Sequence, residues 1–268
     1  MQYSLTHSWL IILLYWHYLL HIPTDPILSS ILIPNLTNLL AIFTFVFIVG
    51  YFLSFFLYKK NNKQFKKSAL QIKILLWIPI FTVFLLYIYG NIAVKYMVIT
   101  FILINILTEV LKNYQKSKQK LIVVIYGLLI SLGVLTMLPI SANSKVLIIA
   151  LCFSSVMSDV FAFFFGNFFG KHKLPPFINN KKNWEGVIGQ IVGAFFGIVL
   201  INSFVGHINP LIFIPIGLGS ALGDLINSTV KRQENIKDWS SSLPGHGGFL
   251  DRFNSLSVAS LLVFLTLF

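Results

Sequence analysis

Nine apolar runs divide this chain, at approximately 8–22, 36–57, 70–89, 93–111, 121–141, 146–165, 186–204, 209–229 and 253–268. A helix needs about 20 predominantly apolar residues to cross a hydrocarbon core roughly 30 Å thick, and runs of that size recur along the whole chain. Little sequence is left for the polar shell of a water-soluble fold. Only 10% of residues are charged, against about 25% in soluble domains. The reading is an all-α, polytopic membrane helical bundle of about nine transmembrane helices. The run at 8–22 is the weakest, being short and containing His17 and His21. Abundant Phe, 26 residues, and the single cysteine Cys152 exclude a disordered chain and a disulfide scaffold.

The net charge of +12 follows from where the lysines fall. One cluster holds Lys59, Lys60, Lys63, Lys66, Lys67 and Lys73; a second holds Lys112, Lys116, Lys118 and Lys120. The third is Lys171, Lys173, Lys181 and Lys182, and the fourth Lys231, Arg232, Lys237 and Arg252. With nine spans all four fall on one face, leaving only Lys95 and Lys145 opposite. Basic residues are retained on the cytoplasmic side, so the expected amino terminus is cytoplasmic and the carboxyl terminus is outside. If the first run merely lies on the surface, the count is eight and the amino terminus moves out. No basic n-region or small-residue cleavage site opens the chain, so no removable signal peptide is expected. Nucleic acid is not the expected partner of these cations; anionic headgroups of the bilayer are. Residues 1–144 read as an N-terminal set of helices and 145–268 as the half carrying the chemistry, within one integrated domain.

Acidic residues are few, and carboxylates in or near membrane spans are costly and usually face a polar cavity. Six of the eight, Asp159, Glu185, Asp224, Glu234, Asp238 and Asp251, lie in the C-terminal half; Asp25 and Glu109 do not. Two segments concentrate them. The first runs from Ser158-Asp159 through Gly166 and Gly170-Lys171-His172-Lys173 to Lys181-Lys182-Asn183-Trp184-Glu185-Gly186. An apolar helix with one aspartate thus emerges into a lysine-rich loop suited to an anion at headgroup depth. The second runs from Gly223-Asp224 through Asn227-Ser228, Lys231-Arg232 and Lys237-Asp238 to Leu243-Pro244-Gly245-His246-Gly247-Gly248 and Asp251-Arg252-Phe253-Asn254. Asp224, Ser228 and Lys231 recur at helical spacing and share a face. Magnesium sites use one or two carboxylates plus substrate phosphates, and Asp224 and Asp251 supply such a pair if the intervening loop folds back. Glycines around His246 let backbone amides approach an oxyanion, while Lys231, Arg232 and Arg252 neutralise phosphates. Together these point to phosphoryl or nucleotidyl transfer. There is no Walker-type, HExxH or GxSxG motif.

Ser228, Lys231-Arg232, Lys237-Asp238, Pro244, His246-Gly247-Gly248 and Asp251-Arg252 stand at the spacing of the signature of the phosphatidate cytidylyltransferases, and the chain resembles that family over about residues 145–268. The resemblance implies a magnesium-dependent enzyme of a bacterial inner membrane, its active site facing the cytoplasm. It would condense CTP with phosphatidic acid to CDP-diacylglycerol and pyrophosphate. Asp224 and Asp251 would hold Mg2+; Lys231, Arg232, His246 and Arg252 would complete the catalytic set. The substrate-binding set would be Asp159, Lys171, Lys173, Lys181, Lys182, Glu185, Ser228, Lys237, Asp238, Gly247, Gly248 and Asn254. It also implies a homodimer. Three positions depart from the family pattern: Asn254 replaces its final Asp, Asn227 stands where Glu is frequent, and Asn183 replaces Thr before Trp184-Glu185-Gly186. Asn254 bears on metal binding, since an amide offers a neutral oxygen. The alternatives are a CTP-using paralogue acting on another lipid phosphate or a polyprenol, and a low-activity structural paralogue.

Blander roles stand beside these. Asp159 alone reads equally as a bundle-interior carboxylate. His246 suits a phosphate contact or loop shaping better than proton transfer, since a phosphate monoester is already ionised near neutral pH. His17 and His21 read as interfacial companions of Trp16 and Tyr18, and the lysines at 59–67 and 112–120 as topology signals. A transporter would show repeat-related halves, which this chain lacks.

Overall fold

The computed structural model describes residues 37–41, 43–45, 48, 80–179, 182–243 and 247–268. The chain divides into two units, Met1–Leu57 and Tyr58–Phe268. In the first, the described residues are helical, with the Thr44 hydroxyl donating to the Leu40 carbonyl at 2.9 Å. The candidate span 8–22 lies outside the described residues, as do parts of 36–57 and 70–89.

The described residues of the second unit form helices α1 (Ile80–Tyr89), α2 (Ile92–Lys116), α3 (Lys120–Asn143), α4 (Lys145–Phe168), the short α5 (Pro176–Asn179), α6 (Trp184–Phe204), α7 (Phe213–Gln233) and α8 (Phe249–Leu267). A 3-10 turn, Pro210–Ile212, leads into α7. Six of these, α2, α3, α4, α6, α7 and α8, are long and apolar enough to cross a membrane, α7 together with its 3-10 turn. The protein is therefore an all-α polytopic membrane protein, and among the described residues there is no strand. Each of the six begins within about four residues of an expected apolar run, and the differences have local causes. Polar caps set the starts: Asn91 accepts from the Val94 amide (3.0 Å), Ser144 from Leu147 (3.2 Å) and Asn183 from Gly186 (3.0 Å). These side chains satisfy amides that an apolar N-cap would leave bare. At the other end α2 runs a turn beyond its apolar stretch, to Lys116. There the Asn113 side chain donates back to the Glu109 carbonyl (2.8 Å) and onward to the Trp239 carbonyl (3.0 Å).

Close approach of backbones builds the core, as expected where lipid replaces water and apolar burial gives little drive. Gly189, Gly193 and Gly197 line the face of α6 against α4. A Cβ at Gly193 would lie 2.5 Å from the Met157 carbonyl oxygen, and one at Gly197 would lie 2.5 Å from the Ser154 hydroxyl. Helix α8 is packed the same way, with Gly133 of α3 against Ser257, and Gly219 and Gly223 of α7 against Ala259 and Asn254. Hydroxyl pairs tie the helices laterally: Ser155 with Ser220 (3.2 Å) and Thr136 with Ser260 (2.8 Å). Large apolar side chains such as Met97, Phe101, Leu121, Leu128 and Leu222 face outward, as a lipid-bathed surface requires.

The helix ends sort into two faces. The C-termini of α2, α4 and α7 meet the N-termini of α3, α6 and α8 at one end, shown by contacts such as Asn113 to Trp239, Asn183 to Gly166 and Lys231 to Asp251. The described residues of the second, third and fourth basic clusters all flank this end. Lys95 lies at the other, donating to the Ser141 carbonyl.

Gly193→Leu forces α4 and α6 apart and should lower unfolding stability in detergent by about 1–3 kcal/mol. Leu222→Ala on the exposed side of α7 should stay within about 0.5 kcal/mol. Thermal unfolding of the two purified variants separates them; equal shifts would mean that the α4–α6 seam is not a close-packed contact.

Candidate active site at the basic end of the bundle

The loop from α4 to α6 is shaped by two side chains. Asn183 caps α6 with its oxygen and donates its amide nitrogen to the Gly166 carbonyl at 2.8 Å. It thereby ties the start of α6 to the end of α4. A side chain at Gly170 would collide with that amide, so the glycine and Asn183 fit only each other. The Glu185 carboxylate accepts from the backbone amides of Lys171 (3.1 Å) and His172 (3.1 Å) and sits 2.7 Å from the His172 Nδ1. The Lys173 and Asn183 backbones pair as an isolated antiparallel bridge. Lys171 and Lys173 consequently project outward, exposed. Lys182 turns inward.

Lys182 meets α7. Its ammonium lies 2.5 Å from Asp224 Oδ2 and also donates to the Asp224 carbonyl at 3.2 Å. Gln190 of α6, buried in an otherwise apolar stretch, donates to the same Oδ2 at 3.3 Å. Where Gly223 lets α7 touch α8, the neighbouring backbone is Asn254 and Ser255. The Ser255 hydroxyl then donates to Asp159 Oδ1 of α4 at 3.0 Å. Asp159 is thus exposed in the helix surface and within electrostatic reach of Asp224, Lys182 and Arg252. Four helices and the loop before α6 bring two carboxylates, a lysine, an amide and a hydroxyl to one level of the bundle.

Seven residues further along α7, about 10 Å nearer its end, stands a second lysine–carboxylate pair, with Lys231 Nζ donating to Asp251 Oδ1 at 2.6 Å. The two pairs differ in solvation. Side-chain exposure is 28% and 29% for Lys182 and Asp224, but 15% and 3% for Lys231 and Asp251. Asp251 Oδ2 also accepts from the amides of Trp239 (2.9 Å) and Gly248 (3.0 Å), so both of its oxygens are engaged. Gly248 is the N-cap of α8, and Asp251 at the third helical position closes back on it. Gly247 is needed for the turn itself: its φ of +81° lies in the left-handed region that side chains disfavour. A Cβ there would also lie 2.8 Å from Asp251 Oδ2.

A glycine N-cap has no side chain with which to accept from the first-turn amides. Glu109 supplies the missing oxygens from α2. Its Oε1 accepts from the Phe249 amide (2.9 Å) and the Ser240 hydroxyl (2.6 Å), and its Oε2 from the Leu250 amide (3.0 Å). Any Cβ at Gly248 would fall 2.5 Å from the Glu109 carboxylate. Trp239 is held equally firmly: its ring stacks on Tyr126 of α3 at 5.3 Å, and its indole N–H donates to Asn227 at 2.7 Å.

Of the residues singled out from sequence, Asp159, Asp224 and Asn254 gather at one level, and Lys231 and Asp251 at the next. Ser228 and Asn254 are buried, while Arg232, Lys237, Asp238 and Arg252 are exposed. Glu185 organises the loop bearing Lys171 and Lys173. Lys181 and His246 lie outside the described residues. Sequence reasoning passed over Gln190, Glu109, Asn113, Tyr126 and Trp239. The one available signal was the cost of a carboxylate inside an apolar run, which applied to Glu109 as much as to Asp159. Among the described residues no three His, Cys, Asp or Glu side chains form a ready-made metal cluster.

Comparison with known proteins agrees with this arrangement. The profile of the cytidylyltransferase family matches residues 8–268. The phosphatidate cytidylyltransferase of Mycobacterium bovis is 34% identical over 135 residues, 49% of this chain and 44% of that protein. The proteins of that name from Haemophilus influenzae and Brucella abortus are 42% identical over 111 residues (38% of each chain) and 37% identical over 131 residues (47% of each chain). The chain thus spans less than half the length of these curated relatives in each alignment. Because the family profile covers nearly all of the sequence, this chain belongs to the cytidylyltransferase family.

Proposed function

We propose that the chain is a CTP:phosphatidate cytidylyltransferase of a bacterial inner membrane, working at the basic end of the bundle on the cytoplasmic face. The observation that carries this is the pair of lysine–carboxylate contacts, Lys182–Asp224 and Lys231–Asp251, at successive levels of α7, the helix where the family signature begins. In the reaction a phosphate oxygen of phosphatidic acid attacks the α-phosphorus of CTP. The bond from that phosphorus to the bridging oxygen breaks, and pyrophosphate leaves. The nucleophile arrives already ionised, so the protein's task is to position two polyanions and offset their repulsion. Arg232, Arg252, Lys171, Lys173 and Lys237 form the cationic rim that admits them. Lys182 and Lys231 are held by carboxylates until phosphates compete for them.

Magnesium fits the donor set. Asp224 offers an oxygen, Oδ1, that accepts no hydrogen bond among the described residues, and the ion asks for only one or two carboxylates beside substrate phosphates. Asp224 would be the open ligand. Asp251 would join it by giving up its contact with Lys231, leaving that ammonium for a phosphate. Asn254, beside them, would contribute a neutral oxygen in place of a charge. When bound, the ion supplies neutralisation of the nucleotide phosphates and of the departing pyrophosphate.

Purified protein in vesicles, given radiolabelled CTP and phosphatidic acid, should form CDP-diacylglycerol with magnesium and none without it. Label transferred only to another lipid phosphate or to a polyprenyl phosphate would replace the assigned acceptor, and absence of all transfer would rule out the enzyme. The two aspartates should separate. Asp224→Asn should cut turnover by at least about 100-fold with a stability change below about 1 kcal/mol, because its ion pair is half-solvated. Asp251→Asn should lose turnover and also about 3 kcal/mol of stability, because Lys231 is left buried without its counter-charge. Denaturation and turnover measured on the same preparations check both; an Asp251→Asn protein as stable as wild type contradicts the buried-pair assignment.

A further inference from the structure

We propose that Glu109, on a helix outside the signature region, is a positioning residue for the transfer: it acts as the N-cap of α8 from another helix and holds Asp251 and Arg252 in register with Lys231. This rests on the cytidylyl-transfer assignment above. The observations are mutual. Glu109 is 2% exposed, and its oxygens accept from two successive α8 amides and from Ser240. Gly248 leaves the space that those oxygens fill. Phe101, two turns earlier on α2, packs edge-on against Phe249 with ring centroids 5.9 Å apart.

The geometry explains why a charge is kept here despite its insertion cost. The first-turn amides of α8 carry the positive end of the helix dipole and would otherwise be an anion site next to the substrate phosphates. Asp251 takes the Gly248 amide and Glu109 takes those of Phe249 and Leu250. The helix start is therefore closed to substrate, and phosphates are left to the side-chain cations. Asn113 and Tyr126 hold Trp239, whose amide is one of the three donors on Asp251. Helices α2 and α3 thereby fix the loop from both sides.

Glu109→Gln keeps the shape of the side chain and one acceptor but loses the charge and the second acceptor; Glu109→Ala loses everything. In vesicles, kcat should fall at least about tenfold in Glu109→Gln and further in Glu109→Ala. KM for CTP and for phosphatidic acid should move by less than about threefold, the pattern of lost transition-state alignment rather than lost binding. Amide hydrogen exchange on the same samples, compared with wild type, should show lost protection at 248–251 and none lost in α4 or α6. Retained kcat despite lost protection at 248–251 overturns the positioning role while leaving the transfer assignment intact. Retained protection overturns the capping itself. Protection lost throughout the bundle, with kcat falling in proportion to folded protein, would reduce Glu109 to a fold-holding residue. A wild-type protein without transfer activity sinks the assignment on which the proposal rests, and is recognised before any variant is compared.

Discussion

The start of α8 carries more of this structure than any other point, because two buried carboxylates converge there on backbone amides. A buried amide or carboxylate left unpaired is costly, so neither is tolerable alone. Asp251 and Glu109 settle the helix start, Lys231 settles Asp251, and the Trp239 loop is drawn in as a further donor. Removing any one leaves another stranded. This interdependence fixes a loop that would otherwise be free to wander over the membrane surface.

Around that fixed point the site is graded in solvation. The Lys231–Asp251 pair is nearly dry, with both Asp251 oxygens engaged, whereas the Lys182–Asp224 pair is more open. Gln190 donates to Asp224, and Ser255 donates to Asp159 on the neighbouring helix. On the proposed reading Asp224 is the carboxylate an ion meets first, and Asp251 joins it only by releasing Lys231.

Much of the bundle was legible in the sequence because hydropathy and span length are local properties. Six expected spans appear as helices, three of them started by the caps Asn91, Ser144 and Asn183. Asn183 was read only as a departure from the family pattern; its cap on α6 and its bond to Gly166 emerge from the structure. Lys231 and Asp251 were expected in one catalytic set, on a phosphate and on a metal, but their direct pairing across 20 residues was not read. Nor could the Lys182–Asp224 contact be read, since it joins a loop to a helix 42 residues away. Glu109 was least legible of all. Its partners lie 131 to 141 residues downstream, and nothing local distinguishes a carboxylate that caps a distant helix from one that lines a cavity. Gly248 was read as a glycine making room for a substrate oxyanion; the structure fills that room with Glu109.

Equilibrium binding of CTP to the purified protein, measured across a magnesium titration with wild type and Asp224→Asn side by side, reaches the central claim most directly. The account predicts that wild type binds one CTP per chain in a magnesium-dependent manner and that Asp224→Asn loses that dependence together with most of the affinity. Equal, magnesium-responsive binding by both proteins would place the nucleotide somewhere other than between the two lysine–carboxylate pairs.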